Sequence, residues 1–242
     1  MASQSLDLDQ IPFNCIGHRG ACGYAPENTL ASFELAIEMG CPWIELDVYH
    51  MDGELLVIHD DTLERTTNGT GDVMDQSFAH LRSLDAGNGQ QIPTLNEVIE
   101  LTNHRAGINI ELKGPDTAEA VVQLIHKYQD IGWHADEFLI SSFQHRELAR
   151  VRDFDRELKL GALFGRATEN IVEKALGLGA YSINPGLRLC QKQLIDRGHE
   201  AGLKVFVYTV NEEEQIKQML RLNVDGVFTN FPDRVFALIG EG

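Results

Sequence analysis

Two acidic residues separated by a single leucine, Glu45 and Asp47, interrupt the otherwise apolar run Trp43–Tyr49. Alternate side chains of a strand point the same way, so this spacing predicts two carboxylates on one face. Glu111-Leu112-Lys113 repeats the arrangement after Ile108-Asn109-Ile110, with an acid and a base on one face. Carboxylates side by side in a partly dry site repel each other, and burying them is costly unless a cation compensates. Three hard oxygen ligands, Glu45, Asp47 and Glu111, with no thiolate among them, suit Mg2+ or Ca2+ better than zinc. The same charges could instead form salt bridges at a rim with Lys113 and Arg19. Their occurrence on two strands favours one divalent cation, Mg2+ or Ca2+.

Histidine offers proton chemistry near neutrality, and two of the nine histidines follow strand-like runs. His18-Arg19-Gly20 leaves the first such run, and His59-Asp60-Asp61 leaves a later one. A pair of imidazoles across a metal can act as general acid and general base, with either in either role. The planar fork of Arg19 matches two phosphate oxygens. The other seven histidines read as surface or core groups. Gly17-His18-Arg19-Gly20 and Gly69-Thr70-Gly71 fit neither a Rossmann nor a P-loop spacing and read as tight turns.

These residues must be positioned by a chain in which short β-branched runs alternate with helix-period stretches. The expected strands are Phe13–Gly17, Trp43–Tyr49, Gly107–Leu112, Phe138–Phe143, Leu158–Phe164, Ala180–Asn184, Lys204–Val210 and Gly226–Thr229. The expected helices are Thr29–Met39, Leu95–His104, Ala118–Ile131, Glu169–Leu178, Gln191–Ala201 and Glu212–Leu222. Asn28-Thr29, Thr94, Asp116-Thr117, Thr168 and Asn211 stand where N-caps belong. Gly40, Gly132, Gly179 and Gly202 stand where left-handed helix ends belong.

Eight alternations in 242 residues predict an α/β fold, a (β/α)8 TIM barrel, with an open doubly wound sheet as the alternative. Residues 50–92 break the rhythm as a small insertion after strand 2. A long βα loop of this kind lies at the C-terminal face of a barrel, where active sites form. With no repeat or linker, residues 1–242 read as a single domain.

Composition narrows the partners. Twenty basic residues against thirty-seven acidic ones give a net charge of −17, which repels a phosphate backbone and argues against nucleic-acid binding. No apolar run reaches the roughly 18 residues of a membrane span, so membrane insertion is not expected. The beginning, Met1-Ala2-Ser3-Gln4-Ser5-Leu6-Asp7-Leu8-Asp9, lacks the basic and apolar regions of a signal peptide. Cys15, Cys22, Cys41 and Cys190 contain no C-x-x-C pair and read as ordinary thiols of a cytoplasmic protein.

The ordered set of motifs resembles the glycerophosphodiester phosphodiesterase family, in its cytoplasmic, short-insertion form. It runs through Gly17-His18-Arg19-Gly20, Pro26-Glu27-Asn28-Thr29, Glu45-Leu46-Asp47 and Val57-Ile58-His59-Asp60-Asp61-Thr62-Leu63-Glu64-Arg65-Thr66-Thr67-Asn68-Gly69. Pro93-Thr94-Leu95, Glu111-Leu112-Lys113, Val207-Tyr208-Thr209-Val210-Asn211 and Asp225 to Asp233 continue it. The resemblance implies a TIM-barrel hydrolase that cleaves small glycerophosphodiesters to sn-glycerol 3-phosphate and an alcohol. It implies metal ligation by Glu45, Asp47 and Glu111, acid–base catalysis by His18 and His59, and phosphate binding by Arg19 and Lys113. Two positions depart from the family's pattern. Tyr208 stands where tryptophan is common and reshapes the wall beside the substrate, and Asn230 stands where aspartate is common, read as a helix-cap difference. Phe143 and Asn184, near strand ends, are further candidates for the pocket wall. A lipid-directed phosphodiesterase and a non-catalytic glycerol phosphate sensor are the rival readings. The first wants an apolar rim, and the second wants one of the five site residues lost.

Overall fold

The computed structural model describes residues 11–240; the stretch read for a signal peptide, residues 1–9, lies outside them. Eight parallel strands close on themselves. They are β1 (Asn14–His18), β2 (Trp43–Met51), β4 (Gly107–Leu112), β5 (Phe138–Ser142), β6 (Lys159–Phe164), β7 (Ser182–Pro185), β8 (Lys204–Val207) and β9 (Gly226–Thr229). The order β1-β9-β8-β7-β6-β5-β4-β2 returns to β1 through the β1–β2 pairing. Closure decides between the two architectures anticipated: the fold is a (β/α)8 TIM barrel, and the open sheet is excluded. β3 (Glu54–Val57) stands outside this ring and pairs antiparallel with the upper half of β2.

Helices α1 (Leu30–Glu38), α3 (Leu95–Thr102), α4 (Thr117–Gln129), α5 (His145–Phe154), α6 (Ile171–Gly177), α7 (Lys192–Glu200), α8 (Glu213–Leu222) and α9 (Pro232–Ile239) wrap the barrel, and α2 (Phe78–Arg82) lies in the insertion. Thr29 caps α1 by accepting from the Ser32 amide, and Thr94 forms a full capping box with Glu97 at α3. Two expected caps fall elsewhere. α6 begins after Asn170 rather than Thr168, and α8 is capped by Glu212. Asn211 turns its side chain inward instead, accepting from the Asn230 amide at 2.9 Å. α5 and α9 escaped the periodicity. α5 buries only Glu147, Leu148 and Val151, and α9 opens on Pro232 at its first position.

Ile16, Trp43, Leu139, Phe206 and Phe228 form one buried apolar cluster. Gly107 makes room for the indole: a Cβ there would lie 2.5 Å from the Trp43 ring. The insertion packs around its own small core of Tyr49, Leu56, Ile58, Leu63, Leu81 and Ile92. All four cysteines are free thiols, three of them buried.

Candidate active site

Register sets the level of the charged residues. His18, the last residue of β1, pairs across from Glu45 on β2, and Asp47 pairs across from Glu111, the last but one of β4, so Glu45 and Asp47 in the middle of the longer β2 stand level with the ends of its neighbours. Strand alternation then turns Glu45, Asp47 and Glu111 together, with ligand-capable oxygens within 4.8 Å of one another. All three are buried. Desolvation first, then the charges of Asp47 and Glu111, push the Glu45 carboxyl well above its ordinary range. Desolvation and Asp47 likewise raise Glu111 to about 7, against the pull of Lys113.

Basic groups close on the cluster from two sides. The Arg19 Nε lies 3.4 Å from Asp47 Oδ2, and the Arg19 amide donates to Glu45 Oε2 at 2.9 Å. The Lys113 ammonium lies 3.0 Å from Glu111 and 3.7 Å from Asp47. Both readings of these charges therefore hold at once, since the acids converge and also pair with Lys113 and Arg19. Two cations do not satisfy the set completely. Asp47 Oδ1, buried, has no hydrogen-bond partner among the protein atoms. A buried carboxylate oxygen left over, beside two carboxyls whose ionisation is disfavoured, is what a hard divalent cation would relieve. The donor set fits such an ion.

The imidazoles reach this level by different routes. His18 ends β1, where its Nδ1 meets Asn230 Oδ1 at 2.7 Å. Desolvation, then the neighbouring Arg19 charge, lower its pKa to about 4. Asn230 was expected to differ from aspartate only as a helix cap. Phe231 is the residue that precedes α9, so that expectation is corrected: Asn230 is the partner of His18. His59 follows β3, directly after Ile58, whose amide donates to the Asp47 carbonyl at 3.0 Å. Its Nδ1 is 2.5 Å from Asp60 Oδ1.

One pocket at the mouth is lined by His18, Glu45, Asn109, Glu111, Ser141, Leu163, Tyr208 and Phe228. His59 lines a second pocket with Glu27, Asn28 and Thr66. Tyr208 thus stands in the wall, its hydroxyl buried without a partner and its pKa raised by burial and by Glu111. Phe143, 45% exposed, packs edge-on against Tyr208 and faces a wider cleft that shares Leu163 with the pocket. Asn184 is fully buried and bonded to Ser182.

Four residues of the site carried too little signal in the sequence to be given a role there. Asn28 looked like a capping residue, yet its amide donates to Asp47 Oδ2 at 2.9 Å. Glu27, Asp60 and Arg65 lay inside quoted motifs without an assigned task. Only their ion pairs, described below, give them one.

Comparison with known proteins bears on the same constellation. Residues 18–234 match the model of the glycerophosphoryl diester phosphodiesterase family. The chain belongs to that family. A glycerophosphodiester phosphodiesterase of Caldanaerobacter subterraneus is 36% identical to this family member over 94% of the chain and 98% of its own length. One from Bacillus altitudinis is 37% identical over 93% and 97%. Among solved structures, a phosphodiesterase of Oleispira antarctica in complex with the product sn-glycerol-3-phosphate superposes with a TM-score of 0.88 at 30% identity, covering 97% of this chain and 99% of that one. No described helix of this family member is long and apolar enough to cross a membrane.

Proposed function

We propose that this chain, as one barrel domain, hydrolyses small glycerophosphodiesters to sn-glycerol 3-phosphate and an alcohol with the help of one divalent cation, Mg2+ or Ca2+. The observation that carries the reading is the convergence of three buried carboxylates at the end of the barrel, flanked by two basic side chains and an imidazole. Glu45, Asp47 and Glu111 would hold the cation, which supplies charge neutralisation at the phosphoryl oxygens.

The chain's own residues divide the remaining work. Arg19 and Lys113 offer N–H donors beside the carboxylates, forming the positive patch that draws an anionic diester to a protein of net charge −17. His18 is neutral at pH 7, since its pKa lies near 4, and its Nδ1–H donates to Asn230. Its Nε2 lone pair is then free to take the proton of the attacking hydroxyl, as general base. His59 rests Nδ1 on the carboxylate of Asp60, which can balance positive charge on the ring while Nε2 gives its proton to the departing alkoxide. The cleft beyond Tyr208 and Phe143 gives that alcohol a way out.

The decisive test is release of glycerol 3-phosphate from glycerophosphocholine, followed in a coupled assay. Turnover that EDTA abolishes and Mg2+ or Ca2+ restores is expected. Absence of product, or full rate in a metal-stripped sample, overturns the reading.

A further inference from the structure

Five side chains form an unbroken line of ion pairs around the mouth. Arg19 Nη1 donates to Glu27 Oε1 at 2.7 Å. Arg65 then donates to both oxygens of Glu27, at 2.7 and 2.8 Å, and to both oxygens of Asp60, at 2.5 and 2.9 Å. Asp60 Oδ1 in turn meets His59 Nδ1 at 2.5 Å. One guanidinium therefore grips two carboxylates with two bonds each, and each of those carboxylates holds a residue of the site. We propose that Glu27 and Arg65 are positioning residues, a clamp that fixes the imidazole of His59 relative to the guanidinium of Arg19.

The ends of the clamp are anchored to the barrel. Glu27 lies between Pro26 and Asn28; Asn28 is buried and bonded to Asp47, and Thr29 next to it caps α1. Arg65 lies between Leu63, fully buried in the insertion's core, and Thr67, whose amide and hydroxyl both bond to the Leu63 carbonyl. Two independently fixed loops thus meet through a planar, bidentate contact on either side of Arg65. Such forks specify direction as well as attraction.

Stabilisation is not the main role. Arg65 is 48% exposed, and ion pairs that exposed contribute little to folding. What the geometry provides is direction. With Nδ1 held by Asp60, the ring of His59 keeps one orientation, and Nε2 is left for the substrate. Without Arg65, Asp60 loses its two fixed bonds and can swing away with the imidazole.

The proposal rests on the catalytic reading of His59, and its test separates the two. Arg65→Met, Arg65→Lys, His59→Ala and the double variant Arg65→Met/His59→Ala are compared with wild type in kcat and KM on glycerophosphocholine, and melting temperatures are recorded. Loss of an orienting partner in the second layer of a site costs about 10- to 100-fold. Arg65→Met is expected to lose that much in kcat with KM changed less than about threefold, and Arg65→Lys to recover part of it. The double variant is expected to lose much less beyond His59→Ala than the single Arg65→Met loss, because Arg65 acts mainly through that ring. Losses that multiply, or Arg65→Met turning over like wild type while His59→Ala is crippled, overturn the clamp and leave the catalytic reading intact. His59→Ala at wild-type rate overturns both. Should Arg65→Met fail to fold, Arg65→Lys with the double variant Arg65→Lys/His59→Ala decides the same question.

Discussion

His18 stands, partly buried, at the end of a barrel strand and rests Nδ1 on a neutral amide, Asn230. His59 is 30% exposed on the insertion and rests Nδ1 on a carboxylate that is itself gripped by an arginine. The two rings are chemically identical, so the different tasks proposed for them would come from their surroundings. Desolvation and a positive neighbour keep the first neutral and ready to accept a proton. The acid role proposed for the second draws instead on its carboxylate partner, Asp60. The barrel supplies a neutral partner and the insertion a charged one, so the two regions give the rings different environments.

Replacing each ring in turn tests that contrast most strongly. His18→Ala and His59→Ala are each expected to lower kcat by at least about 10²-fold on glycerophosphocholine. A substrate with a p-nitrophenol leaving group needs no proton on departure, so it should restore most of the rate to His59→Ala and little to His18→Ala. Equal losses on both substrates would erase the distinction.

A smaller effect is expected from Asn230→Asp, which puts a carboxylate where His18 now meets an amide. The new charge favours the imidazolium and moves the acidic limb of the kcat/KM profile up from about pH 4. The proton-accepting form is then lost sooner as pH falls, and activity at pH 5 should drop several-fold. An unmoved limb would separate His18 from that limb.

The carboxylate cluster sets a third expectation. Glu45 and Glu111 have folded pKa values above the unfolded carboxylate, near 4.3. The folded metal-free protein therefore binds more protons than the unfolded chain between about pH 4 and 7, and these groups make it less stable as pH rises through that window. His18 acts in the opposite direction, since its lowered pKa favours the fold as pH rises from about 4 towards the unfolded value. Adding Mg2+ or Ca2+ should therefore raise the melting temperature more at pH 8 than at pH 5.5, where a proton must first be displaced. A metal-induced shift independent of pH, or one missing from wild type, would argue against this cluster as the site.

The least effect concerns the clamp. Burial pushes the Glu27 carboxyl up, but Arg65 and Arg19 outweigh it and hold it down at about 2. Its contribution to folding is present above the unfolded carboxylate pKa and is lost as pH falls through about 2. Glu27→Gln should flatten the acid limb of stability in that range and leave it unchanged at pH 7 relative to pH 9. An identical acid limb in the variant would remove Glu27 from the proton balance.

The carboxylate cluster of the candidate site was legible as spacing. Glu45 and Asp47, two apart in an apolar run, had to share a face once that run became a strand, and so did Glu111 and Lys113. The ordered family motifs singled out His18, His59 and Arg19. Asn230 was misread because a short polar residue ahead of a helical segment looks the same whether it caps a helix or turns inward. The helix α5 was missed because Leu148 and Val151 are too sparse an apolar face to register as a period.

The amino-acid sequence by itself determined the alternation of strands and helices, the faces on which the acids lie, and the family to which the chain belongs. Tertiary structure alone decided that the sheet closes, that Asn230 meets His18 across 212 positions, and that Arg65 joins Glu27 to Asp60. The reason is one of range. Alternation and capping are set by neighbours a few bonds away, whereas the partner of a side chain at a strand end depends on register and loop path, which no local pattern encodes.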